Sequence, residues 1–184
     1  FPTRRSSDLE KPFEGEERLL IPSPKDVPTY DLKPEMSAFA VAQGAADRIR
    51  QKKDQFVLMN FANADMVGHT GNYEAAVRAM EALDKCLALV IGAAESSGYH
   101  VLLTADHGNA EQMRDPHTGQ PHTAHTLNLV PVIIIEERLK GKKIALPEGK
   151  LGDVAPTLLQ LLGLPQPAEM TGKSLLSEYR NAEA

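Results

Sequence analysis

The chain has 184 residues, 42% of them hydrophobic and 24% charged, which is the composition of a globular domain with one core. Its 20 basic and 25 acidic residues give a formal net charge of -5 without a basic stripe, so we expect no nucleic-acid partner. No apolar run approaches the roughly 18 residues of a membrane helix, and the single cysteine, Cys86, excludes an internal disulfide and indicates a cytoplasmic protein.

The first residues differ in character from the rest of the chain. Residues 1–9, FPTRRSSDL, have no apolar periodicity and resemble translated sequencing adapter. We therefore predict that they are a non-native leader, that residues 10–184 are the natural sequence, and that its start has been cut off. A short extended segment follows at residues 19–21, and the prolines over residues 22–28 exclude a helix around Lys25.

Hydrophobic periodicity divides the remaining chain into helices and strands. Apolar residues at helical spacing predict helices over residues 34–50, 72–98 and 153–163. Short continuous apolar runs predict buried strands over residues 55–61, 99–105 and 130–135. The longest helix is expected to begin at the N-cap Asn72, to end at Gly98 and to bury Cys86. Its predicted core stripe is Ala76, Met80, Leu83, Leu87, Val90 and Ala94. The alternation predicts an α/β domain with a mostly parallel sheet.

Two of the predicted strands are each followed by a carboxylate and a histidine. Asp65 and His69 follow one strand, and Asp106 and His107 follow the next. Because ligands in open α/β sheets bind outside the carboxyl ends of strands, we expect these side chains to share one crevice. The polar loop after the second strand is long enough to cover it, and its His125 would complete a three-ligand metal site with Asp65 and His69.

The joint occurrence of these motifs favours a two-metal site. Each motif alone is more often a surface loop or a hydrogen-bonded pair. Two ions about 3.5 to 4 Å apart clamp a phosphoryl group, so we interpret Asp106 and His107 as half of a second ion site. Carboxylate and imidazole ligands suit manganese, zinc or cobalt. His100, His117 and His122 are interpreted as packing or exposed residues.

Five stretches resemble one enzyme family, the cofactor-independent phosphoglycerate mutases of the alkaline phosphatase superfamily. They are NFANADMVGHTG (60–71), TADHGNAE (104–111), HTAHT (122–126), IPSPK (21–25) and AEMTGKSL (168–175). Ala64 stands where the family usually has proline. The resemblance implies an alkaline-phosphatase-like three-layer sandwich, incomplete because its N-terminal part is missing. It also implies interconversion of 3-phosphoglycerate and 2-phosphoglycerate in glycolysis, without a 2,3-bisphosphoglycerate requirement.

The resemblance also assigns residues to this chemistry. It implies two manganese ions, the first bound by Asp65, His69 and His125, and the second by Asp106 and His107. Lys25 matches the family's active-site lysine, which lies beside a serine that is phosphorylated during the reaction. That serine belongs to an earlier part of the family's sequence than this chain matches. We therefore expect a truncated and inactive piece of an enzyme that is monomeric at full length.

Two alternatives stay open. Another enzyme of the superfamily, such as a phosphopentomutase or a phosphatase, would share the metal ligands, although residues 66–71 and 122–126 favour the mutase. The chain could also be a non-catalytic metal-binding fragment. Losing part of a parallel sheet exposes backbone edge and apolar surface, so we expect such a fragment to be prone to aggregation.

Overall fold

The computed structural model of the chain describes residues 11–142 and 144–177, and the predicted leader over residues 1–9 lies outside them. In these ranges the helices are α1 (Ala38–Gln51), α2 (Asn63–Gly68), α3 (Tyr73–Ser97) and α4 (Val154–Leu161), and the strands are β1 (Val101–Thr104) and β2 (Val132–Ile135). Short 3-10 helices span Tyr30–Leu32, Glu137–Leu139 and Leu151–Asp153. No helix of the described part is both long and apolar enough to cross a bilayer.

Small side chains let α1 and α3 pack closely, and this contact forms the main core. Ala42 and Ala46 of α1 are completely buried, because alanine allows two helix axes to approach. The other buried members of the cluster are Ala38, Ala45, Ile49, Leu83, Cys86, Val90, Ala93 and Ala94. The prediction that Cys86 is a core residue is therefore confirmed, and burial raises the pKa of its thiol.

Both ends of α3 agree with the prediction from sequence. The side chain of Asn72 accepts a hydrogen bond from the N–H of Ala75 at 3.1 Å. Gly98 adopts the left-handed conformation at φ +80, which is the common way to end a helix at glycine. The predicted core stripe is only partly correct, since Met80 is 50% exposed while Ala79 is completely buried. The first turns of α3 pack on α2 and the later turns pack on α1, so the buried face differs along its length.

The strands β1 and β2 pair in an antiparallel sheet, with Val101 opposite Ile135 and Thr104 opposite Val132. We predicted a mostly parallel sheet without assigning directions to individual strand pairs, and this pair is antiparallel. Parallel strands need a crossover connection, usually a helix, and the segment between β1 and β2 contains no helix. This segment instead continues the hairpin irregularly, with isolated bridges between Gly108 and Thr126 and between Arg114 and Pro121. We call residues 105–131 the β1–β2 loop.

Residues 55–61, predicted as a strand, form no regular secondary structure. Val57, Met59 and Phe61 pack against the α1–α3 core, whereas Phe56 and Leu58 are 51% and 83% exposed. This alternation is that of an extended chain with one covered face, not the two covered faces that we predicted. Within the described residues no neighbouring strand supplies ladder hydrogen bonds to this segment, so no strand forms.

The predicted last helix is confirmed as α4. Asp153, the residue before α4, binds backbone N–H groups on both sides of the helix. The carboxylate of Asp153 accepts the N–H of Lys173 at 2.8 Å and the N–H of Lys150 at 2.9 Å. Thr157, completely buried on α4, donates to the carbonyl of Asp153 at 2.7 Å and accepts the N–H of Leu175 at 2.9 Å. These bonds attach residues 172–176 to α4.

The ionised form of Asp153 is expected to make stability depend on pH. The N–H groups of Lys173 and Lys150 hold the pKa of this carboxyl below its usual value. Its contribution is therefore complete above the ordinary aspartate pKa of about 3.9 and is lost as pH falls through the lowered pKa. Asp153→Asn should lower the Tm near neutral pH, and the difference from wild type should shrink below about pH 4. Thermal unfolding of both proteins between pH 7 and 3 measures this effect. A difference in Tm that stays constant over this range would contradict the prediction.

Candidate metal centre

Three segments bring carboxylate and imidazole groups to one place. Asp65 lies on α2 and His69 is the residue at its C-terminal end, so the two are four positions apart on one helix face. His107 follows β1, and His125 lies on the opposite arm of the β1–β2 loop. The helix that carries Asp65 was not expected from the sequence, which suggested a loop after a strand.

The carboxylate oxygen Oδ1 of Asp65 lies at the centre of the group. It is 3.1 Å from Nε2 of His69 and 3.1 Å from Nε2 of His125, and these two nitrogens are also 3.1 Å apart. Metal–ligand bonds of about 2.0 to 2.2 Å place neighbouring ligand atoms about 3 Å from each other. The triangle therefore has the size needed to offer three ligands to one divalent ion.

A hydrogen bond at Nδ1 of His69, on the side of the ring away from the triangle, determines whether Nε2 can offer a lone pair to a metal ion. Nδ1 of His69 lies 2.6 Å from the carbonyl oxygen of Thr123. A carbonyl only accepts, so Nδ1 carries the proton and Nε2 of the neutral ring presents a lone pair to Asp65. A lone pair facing a carboxylate is favourable only when a cation is shared between them, either a second ring proton or a metal ion. The donor set thus fits a metal ion, and the Thr123 carbonyl is the outer partner that metal-binding histidines usually have.

The second predicted pair lies beside the triangle. The ring of His107 stacks on that of His125 with centroids 3.8 Å apart, and its Nε2 is 4.0 Å from Oδ1 of Asp65. Asp65, His107 and His125 also form a possible ligand set, with ligand atoms within 4.8 Å of one another. The 3.1 Å triangle is the tighter set. Asp106, whose side chain is 79% exposed, has Oδ1 at 3.7 Å from Nε2 of His107 and forms the rim.

Lys25 is the predicted site residue for which the structure shows no contact with this group. Its side chain is exposed, and within the described residues it makes no hydrogen bond or ion pair with Asp65, His69 or His125. Its loop is attached to the start of α1, because the hydroxyl of Ser37 donates to the carbonyl of Pro22 at 2.7 Å. Lys33 forms an ion pair with Asp26 at 2.9 Å in the same region.

Asn109 and Glu111 also belong to the site, although the sequence analysis did not select them. Nδ2 of Asn109 donates to Oδ1 of Asp65 at 2.7 Å. Glu111 accepts the N–H of Asn109 at 2.6 Å, Nδ2 of Asn128 at 2.9 Å and the hydroxyl of Thr126. Burial acts to raise the pKa of Glu111, but these hydrogen bonds outweigh it and lower the pKa. Their closeness to the aspartate-histidine motif after β1 was the available signal, since metal ligands usually have polar outer partners.

The family model of the metalloenzyme superfamily matches residues 4–166 of the chain. The chain belongs to the metalloenzyme superfamily. Among its superfamily relatives is 2,3-bisphosphoglycerate-independent phosphoglycerate mutase 1 of Methanosarcina acetivorans, 57% identical over 167 residues, which are 91% of this chain and 32% of the relative. The 2,3-bisphosphoglycerate-independent phosphoglycerate mutase of Ectopseudomonas mendocina is 55% identical over 171 residues, 93% of this chain and 33% of the relative.

A solved structure of the superfamily is also similar. It is Leishmania mexicana phosphoglycerate mutase at low cobalt concentration, with a TM-score of 0.72 and 33% identity over 83% of this chain and 30% of that one. The resemblance inferred from sequence and the alkaline-phosphatase-like metalloenzyme fold are therefore confirmed. The described residues form only part of this α/β fold, with a small two-stranded sheet. The chain spans about a third of the length of the curated relatives that it matches.

Proposed function

We propose that this chain is the C-terminal, metal-binding part of the phosphatase-like domain of an enzyme that interconverts 3-phosphoglycerate and 2-phosphoglycerate. The observation that carries the proposal is the triangle of Asp65, His69 and His125, with sides of 3.1 Å. It occurs in a chain that is 57% identical to a phosphoglycerate mutase over 91% of its length. The substrate would be a small phosphorylated acid, and the enzyme would work in glycolysis in the cytoplasm.

The five metal-binding candidates divide into two groups in this proposal. Asp65, His69 and His125 would hold one ion, and His107 with Asp106 would contribute to a second beside it. Manganese is the proposed ion, and zinc or cobalt would suit the same carboxylate and imidazole donors. When bound, two such ions would offset the negative charge on the oxygens of a transferring phosphoryl group.

The chain's own residues prepare this site in three ways. The carbonyl of Thr123 keeps the proton of His69 on Nδ1, so that Nε2 is available as a ligand. The carboxylates of Asp65 and Asp106 bring negative charge to the cations. Lys25 would contribute an ammonium group that attracts the phosphoryl oxygens, from the proline-rich loop attached to the start of α1.

The proposal assigns the nucleophilic serine and the remaining ligands of the second ion to a part of the enzyme outside this chain. That part would cover the apolar side chains that the described residues leave exposed. Phe56 and Leu58 are exposed on the extended segment, as are Leu127 and Leu129 beside β2. Large apolar groups exposed in this number are typical of surfaces that pack against other protein.

The 184-residue chain by itself is expected to be inactive. The proposal places the serine that takes up the phosphoryl group outside this chain, so the first reaction step would lack its nucleophile even when the first ion site is filled. An enolase-coupled assay with 3-phosphoglycerate and Mn²⁺ should give the same background rate for the wild-type chain and for Asp106→Ala. A wild-type rate above that of the variant would contradict this division of the enzyme.

The complete gene product separates the proposed activity from the related ones. It should convert 3-phosphoglycerate in the coupled assay and should leave ribose phosphates unchanged. Turnover of ribose phosphates would instead identify a phosphopentomutase. If the complete protein binds metal and acts on neither substrate, the mutase assignment is wrong.

A further inference from the structure

We propose that Asn109 is a positioning residue that fixes the carboxylate of Asp65 for metal binding, and that Glu111 holds Asn109 in place. The inference rests on the proposed metal site and adds to it a residue that does not touch the ion. Asn109 is 4% exposed, so its amide is a buried donor with a fixed direction.

The amide of Asn109 makes two contacts with one residue. Its Nδ2 lies 2.7 Å from Oδ1 of Asp65 and 3.3 Å from the backbone oxygen of Asp65. A carboxylate oxygen has two lone pairs, and this bond uses one of them. The other lone pair of Oδ1 can then point toward His69 and His125. Because a hydrogen bond to a charged acceptor is about twice as strong as a neutral one, the bond restricts rotation of the Asp65 side chain.

The position of the amide oxygen of Asn109 explains why the amide does not flip. Its Oδ1 is buried, has no hydrogen-bond partner among the described residues and lies against Gly68, where an added Cβ would be 2.4 Å away. Rotating the amide by about 180° would place this oxygen against the carboxylate of Asp65, and both hydrogen bonds from Nδ2 to Asp65 would be lost. An unpaired buried oxygen costs free energy, and such groups in native proteins call for a functional explanation.

Glu111 connects Asn109 to the loop that carries His125. One carboxylate oxygen accepts the N–H of Asn109 at 2.6 Å, and the other accepts Nδ2 of Asn128 at 2.9 Å and the hydroxyl of Thr126. The N–H of Thr126 in turn donates to the carbonyl of Gly108 at 2.9 Å. This set of bonds links the segments that carry Asp65, His107 and His125. We call it the Asn109–Glu111 relay.

Cobalt binding to the 184-residue chain tests the relay. Asn109→Leu keeps the approximate volume and removes the donor, and loss of an outer partner typically lowers metal affinity about 10-fold to 100-fold. We expect a loss of that size in calorimetry with Co²⁺, together with a changed visible absorption spectrum of the bound ion. Thr157→Val is the matched control, because it removes buried hydrogen bonds on α4 away from the site. It should lower the Tm and leave the affinity and the spectrum unchanged.

Gly68→Ala supplies a second variant, since its new Cβ would displace the Asn109 amide while leaving the donor in the sequence. It should lower the Co²⁺ affinity as Asn109→Leu does. If Asn109→Leu does not fold, the Co²⁺ affinity of Gly68→Ala tests the role of Asn109 instead. Equal Co²⁺ affinity and spectra for wild type and both variants would overturn the inference and leave the metal site standing. If the wild-type chain binds no Co²⁺, the proposed site itself is wrong.

Discussion

Asp65→Ala is expected to abolish binding of a divalent ion to this chain, with an affinity loss of more than about 100-fold, beyond the range seen for outer partners. Oδ1 of Asp65 is the corner of the triangle that carries negative charge. Without it, the triangle would keep only two imidazoles, with nitrogens 3.1 Å apart. Two neutral ligands are fewer than the three or four that a protein site normally supplies.

Calorimetry with Mn²⁺ and with Co²⁺ measures this effect directly. The wild-type chain should bind one ion in the triangle, and His125→Ala should lose binding as Asp65→Ala does. Asp84→Ala, an exposed carboxylate on α3, is the control for removal of one negative charge. Asp106→Ala should have a much smaller effect on the first ion, because its side chain is mostly exposed and outside the triangle. Equal affinities for wild type and Asp65→Ala would refute the site.

Gly172→Ala is expected to be the most disruptive single-methyl addition at the C-terminal end of the described chain. A Cβ at Gly172 would lie 2.0 Å from the carbonyl oxygen of Gly152 and 2.7 Å from its carbon. Both are backbone atoms that cannot rotate away, so the chain around Lys173 must shift and weaken its bond to Asp153. Overpacking of this kind costs about 1 to 3 kcal/mol and sometimes more.

Urea unfolding of Gly172→Ala and Gly92→Ala gives a matched comparison. Gly92 lies within α3, and a Cβ there would meet nothing within 4 Å. Alanine is the better helix former by about 1 kcal/mol, so Gly92→Ala should raise the free energy of unfolding. The two substitutions add the same methyl group and should shift stability in opposite directions. A neutral Gly172→Ala would show that the contact with Gly152 relaxes without cost.

Local signals in the sequence were sufficient to predict α1, α3 and α4, but they did not indicate α2. Asn72 and Gly98 define the ends of α3 through their own backbone preferences, which depend little on the rest of the fold. Asp65 and His69 are informative because a carboxylate and an imidazole four residues apart can share one ion.

The differences between the predicted and the observed strands concern properties that depend on distant partners. An apolar run such as residues 55–61 becomes a strand only where another strand pairs with it, and periodicity does not reveal that partner. The direction of β1 against β2 depends in the same way on how the connecting segment is folded. Asn109 and Glu111 were missed because their roles come from hydrogen bonds to residues 44 positions earlier and 17 positions later in the sequence.

The irregular hairpin between β1 and β2 has a further consequence for the entropy of metal binding. His107 and His125 lie on opposite arms, beside the bridge between Gly108 and Thr126, so the hairpin holds them across from each other. Bringing the two histidines together costs conformational entropy of the intervening chain. The strand pairing and the bridge offset this cost when the chain folds. The two rings are stacked, with their centroids 3.8 Å apart. In the proposed centre the hairpin would hold the ligands of the two ions side by side, so that less conformational entropy would be lost when the ions bind.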